Sequence, residues 1–214
     1  MAPLCALVLC ALFTAGPLAL AQRALTTNEV SDWNPAWSSD GSRIAFESDD
    51  GGIVGVYTIA ADGSGRVPVD SGTTNARSPV WSPTGANLAF LADRDGRSAI
   101  HVVASNGAGL RVVTPDGGHD WDITWSPDGS RMAFASAGPS GVDIYIANQD
   151  GSSRRPLITG SQSHYAAAWS PDGSRIAFIS GSTGNGEIYV AHADGTNKQK
   201  ITVGAVAQAP LAWS

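Results

Sequence analysis

Eight residues have the types and spacing to support binding or chemistry: Trp33, Arg77, Trp121 and Tyr165, with His119, Asp120, Asp122 and His164 around them. The first four stand 44 residues apart, each four residues before another tryptophan, at Trp37, Trp81, Trp125 and Trp169. Aromatic side chains and an arginine among polar neighbours are the composition of a protein or glycan contact surface. Equivalent positions in a repeat would set them as a ring around a channel mouth, in the loops that lead into each repeat's first strand. The alternative is that the rings merely cap inner strands, and the sequence leaves both open. His119 and His164 fall in adjacent repeats. With Asp120 and Asp122 they are donor types for a divalent metal, although no metal or cofactor is expected on balance.

No motif for an enzyme accompanies them. The chain lacks a Gly-x-Ser-x-Gly elbow, a phosphate-binding loop, a dinucleotide fingerprint and His-Glu-x-x-His. Its net charge is −6, with 19 acidic and 13 basic residues and no basic stripe, so nucleic-acid binding is not expected. Asp49-Asp50-Gly51-Gly52 and Asp93-Arg94-Asp95-Gly96 contain calcium-type oxygen donors but read first as solvated turns.

The elements that must position these residues are written in a ten-residue phrase. It runs Trp125-Ser126-Pro127-Asp128-Gly129-Ser130-Arg131-Met132-Ala133-Phe134, recurs at Trp37, Trp81 and Trp169, and begins again at Trp213-Ser214. A period of 44 residues with strand-like content marks propeller blades. In each unit a short strand ends at Trp-Ser, and Pro-Asp-Gly turns the chain. A second strand then alternates Phe on one face with Ala on the other, as sheets stacked on both sides require. A third strand carries Tyr57, His101, Tyr145 or Tyr189 and ends in Asp-Gly or Asn-Gly, the strongest short hairpin signal. His101 therefore reads as an aromatic substitute. A fourth strand lies around Val69, Val113, Leu157 and Ile201. The expected class is all-β: a β-propeller of four-stranded blades, with four complete repeats and partial strands at both ends, Ala24–Thr26 and Pro210–Ser214. Thr84 replaces Asp in the second phrase and Ser39 replaces Pro in the first, so these turn residues are scaffold.

Trp-Ser-Pro-Asp-Gly-x-x-Ile-Ala-Phe, followed by Ile-Tyr and Asp-Gly, resembles the WD-like repeat of TolB-like propellers over about residues 24–214. The resemblance implies a periplasmic, non-enzymatic protein that binds a protein partner, the peptidoglycan-associated lipoprotein, at the channel mouth. No counterpart of the α/β domain that precedes the TolB propeller is expected in this chain. Similar repeats also form the gating propeller of prolyl-oligopeptidase-type serine peptidases and, more remotely, metal-dependent polysaccharide-lyase-like propellers.

Residues 1–21 have no charged side chain, an apolar run from Leu4 to Phe13, and a small-x-small ending at Ala19-Leu20-Ala21. They read as a secretory signal peptide cut before Gln22, which makes residues 22–214 a periplasmic or secreted propeller domain with no membrane span after cleavage. Both cysteines, Cys5 and Cys10, would leave with it, so the mature chain would have no disulfide. The phrase that begins at Trp213 without its continuation leads us to expect a truncated propeller. Its exposed blade edges would favour self-association.

Overall fold

The computed structural model describes residues 23–26, 29–69, 75–115, 118–138, 141–181, 186–202 and 211–213. The signal-peptide reading of residues 1–21 lies outside them. Among the described residues, sixteen strands form four antiparallel sheets of four, each in chain order. Blade 1 comprises β1 (Asp32–Trp37), β2 (Arg43–Asp50), β3 (Ile53–Ala60) and β4 (Val67–Pro68). Blade 2 comprises β5 (Ala76–Trp81), β6 (Asn87–Arg94), β7 (Arg97–Ala104) and β8 (Arg111–Val112). Blade 3 has β9 (Asp120–Trp125), β10 (Arg131–Gly138), β11 (Gly141–Asn148) and β12 (Arg155–Ile158). Blade 4 has β13 (His164–Trp169), β14 (Arg175–Ser180), β15 (Glu187–His192) and β16 (Gln199–Lys200). The expected all-β propeller class is what the structure shows.

The phrase closes its own turn. Ser126 Oγ donates to Asp128 and accepts from the Arg131 N–H at 3.0 Å, and Asp128 Oδ1 accepts from the Ser130 N–H at 3.0 Å. The same bonds join Ser38, Asp40 and Ser42, and Ser170, Asp172 and Ser174. Hydrogen bonds to the charged form lower a carboxyl pKa. Serine hydroxyls first, then serine N–H groups, hold Asp40, Asp128 and Asp172 down to about 2.

The two-faced second strand builds the core between blades. Ala45 packs with Trp81 and Phe90, Ala89 with Trp125 and Phe134, and Ala133 with Trp169 and Phe178. Each interface thus sets the small face of one blade against the large face of the next, which is how close-packed sheets interdigitate. The third-strand aromatics stack on the phenylalanines. His101 lies 5.5 Å from Phe90 at 18°, in the place that Tyr145 takes over Phe134, as the sequence predicts.

Tryptophan also fastens neighbouring blades. The indole N–H of Trp81 donates to the Ala36 carbonyl, that of Trp125 to Val80 and that of Trp213 to Ala168, each at 3.0–3.1 Å. Arg131 lies over the Trp169 ring at 5.0 Å and Arg175 over Trp213 at 5.4 Å. Trp213 therefore docks as the last residue of a next blade's first strand would, where Trp81 and Trp125 stand in β5 and β9. At the other end Leu25 packs on Ile44, Phe46, Tyr57 and Ile59, as Leu157 packs on blade 4, although Ala24–Thr26 form no strand. Trp37 is 42% exposed where Trp81, Trp125 and Trp169 are 5–8%, because no blade covers it among the described residues.

The hairpin glycines have a further reason. A Cβ on Gly195 would collide with the Leu157 carbonyl of the preceding blade, and one on Gly151 would come within 2.9 Å of the Val113 carbonyl. Both also take positive φ, 88° and 87°, which side chains resist. The Asp-Gly turn is thus a packing surface as well as a hairpin.

Candidate functional site

Trp33, Arg77, Trp121 and Tyr165 lie within β1, β5, β9 and β13, which corrects the expectation that they sit in loops. The first strands are six residues long, longer than the short strand expected, and each contains a β-bulge. Trp33 pairs with Glu47 and Ala36 with Ala45, so Asn34 and Pro35 occupy the space of one opposing residue. The same shift follows Arg77, Trp121 and Tyr165. The residue after each adopts left-handed φ: Asn34 at 49°, Ser78 at 55°, Asp122 at 52° and Ala166 at 52°. For Ser and Ala that conformation is strained by about 1–3 kcal/mol, and bulges re-aim side chains where they occur. Four equivalent outliers at one end of the blades give that end a common geometry.

Acids hold the bulges in place. Glu47 is 4% exposed and accepts from the Trp33 indole N–H at 2.6 Å, the Asn34 amide at 2.8 Å and the Ser78 backbone N–H of blade 2 at 2.7 Å. Asp122 repeats the bridge between blades 3 and 4, accepting from the Ala166 N–H at 3.1 Å. Its side chain is solvent-accessible but surrounded by the packed strands, and that partial desolvation pushes its pKa up against the Ala166 bond. Arg77 is held by Asp93 at 2.8 Å and Ser98 at 3.0 Å, a half-exposed pair at the rim. Asp49, read from sequence as a turn residue, accepts from the Gly52 N–H at 2.7 Å.

The remaining candidates are separated. Asp120 is 1% exposed, and its Oδ1 accepts from Ser136 Oγ at 2.6 Å. Burial pushes its pKa up, opposed by hydrogen bonds from Ser136 and Thr114 and by the Arg154 charge. His164 is 5% exposed at the blade 3–blade 4 interface, with Nδ1 3.6 Å from Asp143 Oδ1 and its ring against Phe178. Burial lowers its pKa, and Asp143 opposes the shift. His119 is exposed before β9, its carbonyl accepting from the Ala137 N–H. Among the described residues no group of three or more His, Cys, Asp or Glu could share a metal ion, so the cluster drawn from sequence is not assembled as one.

Glu47 escaped the sequence reading. Its signal is a column in the second strand: the equivalent residues are Leu91, Ala135 and Ile179. An acid in an apolar column is buried only with partners, and Glu47 has three.

Four-stranded blades with Trp-to-carbonyl staples define this chain as a β-propeller protein. The profile of the TolB beta propeller domain matches residues 63–214, and the chain belongs to that family. It is similar in structure to a protein assigned as TolB from Agrobacterium tumefaciens, with 27% identity and a TM-score of 0.68 over 85% of this chain and 65% of that one. TolB from Acinetobacter baumannii matches at 22% identity and TM-score 0.67 over 84% of this chain and 45% of that one. A prolyl endopeptidase structure shares the fold at 13% identity and TM-score 0.65, over 83% of this chain and 30% of that one. The chain thus spans less than two thirds of the length of each. No protein of curated function matches it in sequence.

Proposed function

We propose that this chain is an exported, non-enzymatic interaction propeller whose partner docks at the end of the blades carrying Trp33, Trp121 and Tyr165. The observation that carries the reading is the recurrent bulge. In three of four blades it presents a half-buried aromatic at one register position, beside a strained left-handed residue. Large aromatics with modest side-chain entropy are the usual anchors of protein contacts. Family membership supports a partner such as the peptidoglycan-associated lipoprotein and a periplasmic location; residues 1–21 have the composition for export. No helix among the described residues is long and apolar enough to cross a membrane.

Trp121→Ala and Tyr165→Ala test the docking surface better than changes at Trp33 or Arg77, which also break the bonds to Glu47 and Asp93. Trp121 also packs against the core between blades 2 and 3, so the expected result is loss of lipoprotein capture by protein that is still folded at the temperature of the capture assay. Equal loss of folding and capture, or unchanged capture, would refute the assignment. A second reading, the propeller of a longer serine peptidase, draws on the likeness to the prolyl endopeptidase fold. A Gly-x-Ser-x-Gly motif in the reading frame beyond Ser214 would favour it.

A further inference from the structure

The opposite end of the blades carries a second feature, at the junction of blades 3 and 4. Arg131 and Arg155 of blade 3 meet Ser174, His192, Ala193 and Asp194 of blade 4 around an open pocket of about 330 Å³, at the lower end of the size range for small-ligand sites. The strand polarity places it away from the bulges: Arg131 and Arg155 begin β10 and β12, and His192 ends β15.

The repeat supplies its own comparison. One blade earlier the same junction is plugged. Asn87, equivalent to Arg131, donates to Gln149 Oε1 at 2.8 Å, and Arg111, equivalent to Arg155, donates through Nε to the Gln149 carbonyl at 3.1 Å. In blade 4 the position of Gln149 is Ala193, which is too short to reach across. Arg131 replaces the neutral Asn87, and its guanidinium is braced 5.0 Å over the Trp169 ring, so the edge of the planar group remains for a ligand. The contact of Arg155 is a long one, 3.4 Å to the Pro156 carbonyl. Between blades 1 and 2 the arginine pair is absent, since Val67 stands where Arg155 does and Arg43 is bonded to Thr58.

One acid lines the pocket, and it is engaged elsewhere. Asp194 Oδ1 accepts from the Thr196 N–H at 2.9 Å and the Thr196 hydroxyl at 2.6 Å within its hairpin. His192 offers ring nitrogens 3.3 Å from Thr196 and Asn197. Asp194 is the one carboxylate in the lining, while Asp128, in the turn before β10, acts on Arg131 from outside it, so what the junction offers a ligand is the paired guanidinium edges rather than a net charge.

We propose that this junction is a binding site for a small oxyanion, a carboxylate or phosphate group that the Arg131 and Arg155 forks grip together. Paired guanidiniums recognise planar or tetrahedral oxyanions through two parallel N–H···O bonds. The test is calorimetric titration of the full 214-residue chain with citrate and with inorganic phosphate, at ionic strength held constant with chloride. One-to-one binding of at least one probe above chloride is expected, and the preferred probe tells carboxylate from phosphate. Arg155→Gln, at an exposed residue, should weaken binding about tenfold, the loss of one charge-assisted contact. Ala193→Gln restores the plug of the preceding junction and should weaken it as much. Thermal melts check both variants, and Arg155→Gln decides if Ala193→Gln fails to fold. No binding above chloride, or wild-type affinity in folded Arg155→Gln, overturns the proposal.

Discussion

Glu47→Gln removes one charge and keeps the shape. In the wild type the carboxylate receives three N–H groups, two from its own blade and one from the Ser78 backbone of the next. An amide retains one acceptor oxygen and turns an NH2 group toward a donor. The variant therefore loses at least one hydrogen bond outright and the charge assistance of the others. Bonds to a charged group contribute about 1.5–3 kcal/mol each, and an orphaned buried donor costs about 1–3 kcal/mol. A total of about 2–4 kcal/mol is expected, a large share of a domain stability of about 5–15 kcal/mol. At about 2–4 °C per kcal/mol for a chain of this size, the thermal midpoint should fall by about 5–15 °C. Urea denaturation followed by tryptophan fluorescence and by far-ultraviolet circular dichroism gives the free energy and tests whether both probes report one transition. A loss below about 0.5 kcal/mol would show that the junction between blades 1 and 2 does not depend on this carboxylate, and that the bulge is held by packing alone.

Three further outcomes are expected. Trp125→Phe should cost about 1 kcal/mol more than Trp169→Phe in urea denaturation, because Trp125 donates to Val80 while the buried Trp169 indole N–H has no hydrogen-bond partner; equal costs would remove the staple from the account. Gly195→Ala should destabilise by about 2 kcal/mol or more, against about 1 kcal/mol for Gly109→Ala, since both have positive φ but only Gly195 abuts a neighbouring carbonyl. Paired melting curves settle it, and equal shifts would count against the contact. The carboxyls of Asp40, Asp128 and Asp172 sit at about 2, below the ordinary 3.8, so the unfolded chain takes up their protons first as acid is added. Their contribution is fully present above about pH 4 and is lost as pH falls toward 2; a urea midpoint unchanged between pH 5 and 2.5 would contradict it, and replacing all three by Asn should flatten the profile.

Much of the fold is legible in the chain because its causes are local. The Ser-Pro-Asp-Gly turn closes on hydrogen bonds between residues two and five apart, as between Ser126, Asp128 and Arg131. The alternation of Ala133 with Phe134 assigns two buried faces to one strand, and His101 in a column of tyrosines declares an aromatic place. The first strand was read too short because a bulge changes the alternation at Asn34, Ser78, Asp122 and Ala166, and these residue types carry no common signal for positive φ.

The site was legible in position but not in role. A 44-residue register picks out Trp33, Arg77, Trp121 and Tyr165 as equivalents, yet it does not say that Arg77 is tied to Asp93 or that His164 turns into a blade interface toward Asp143. The first outcome depends on how two strands of one blade pair, and the second on how the sheets of two blades settle on each other, so neither partner is a near neighbour in the chain. The order of residues prescribes the blade, with its strands, turns and two faces, through bonds between near neighbours. Which polar groups are used up between blades, as at Glu47 and Gln149, and which are left open, as at Arg131 and Arg155, follows from the packing of one sheet on the next. A buried or bridging polar group takes its partner from the neighbouring sheet, and no local pattern encodes that neighbour.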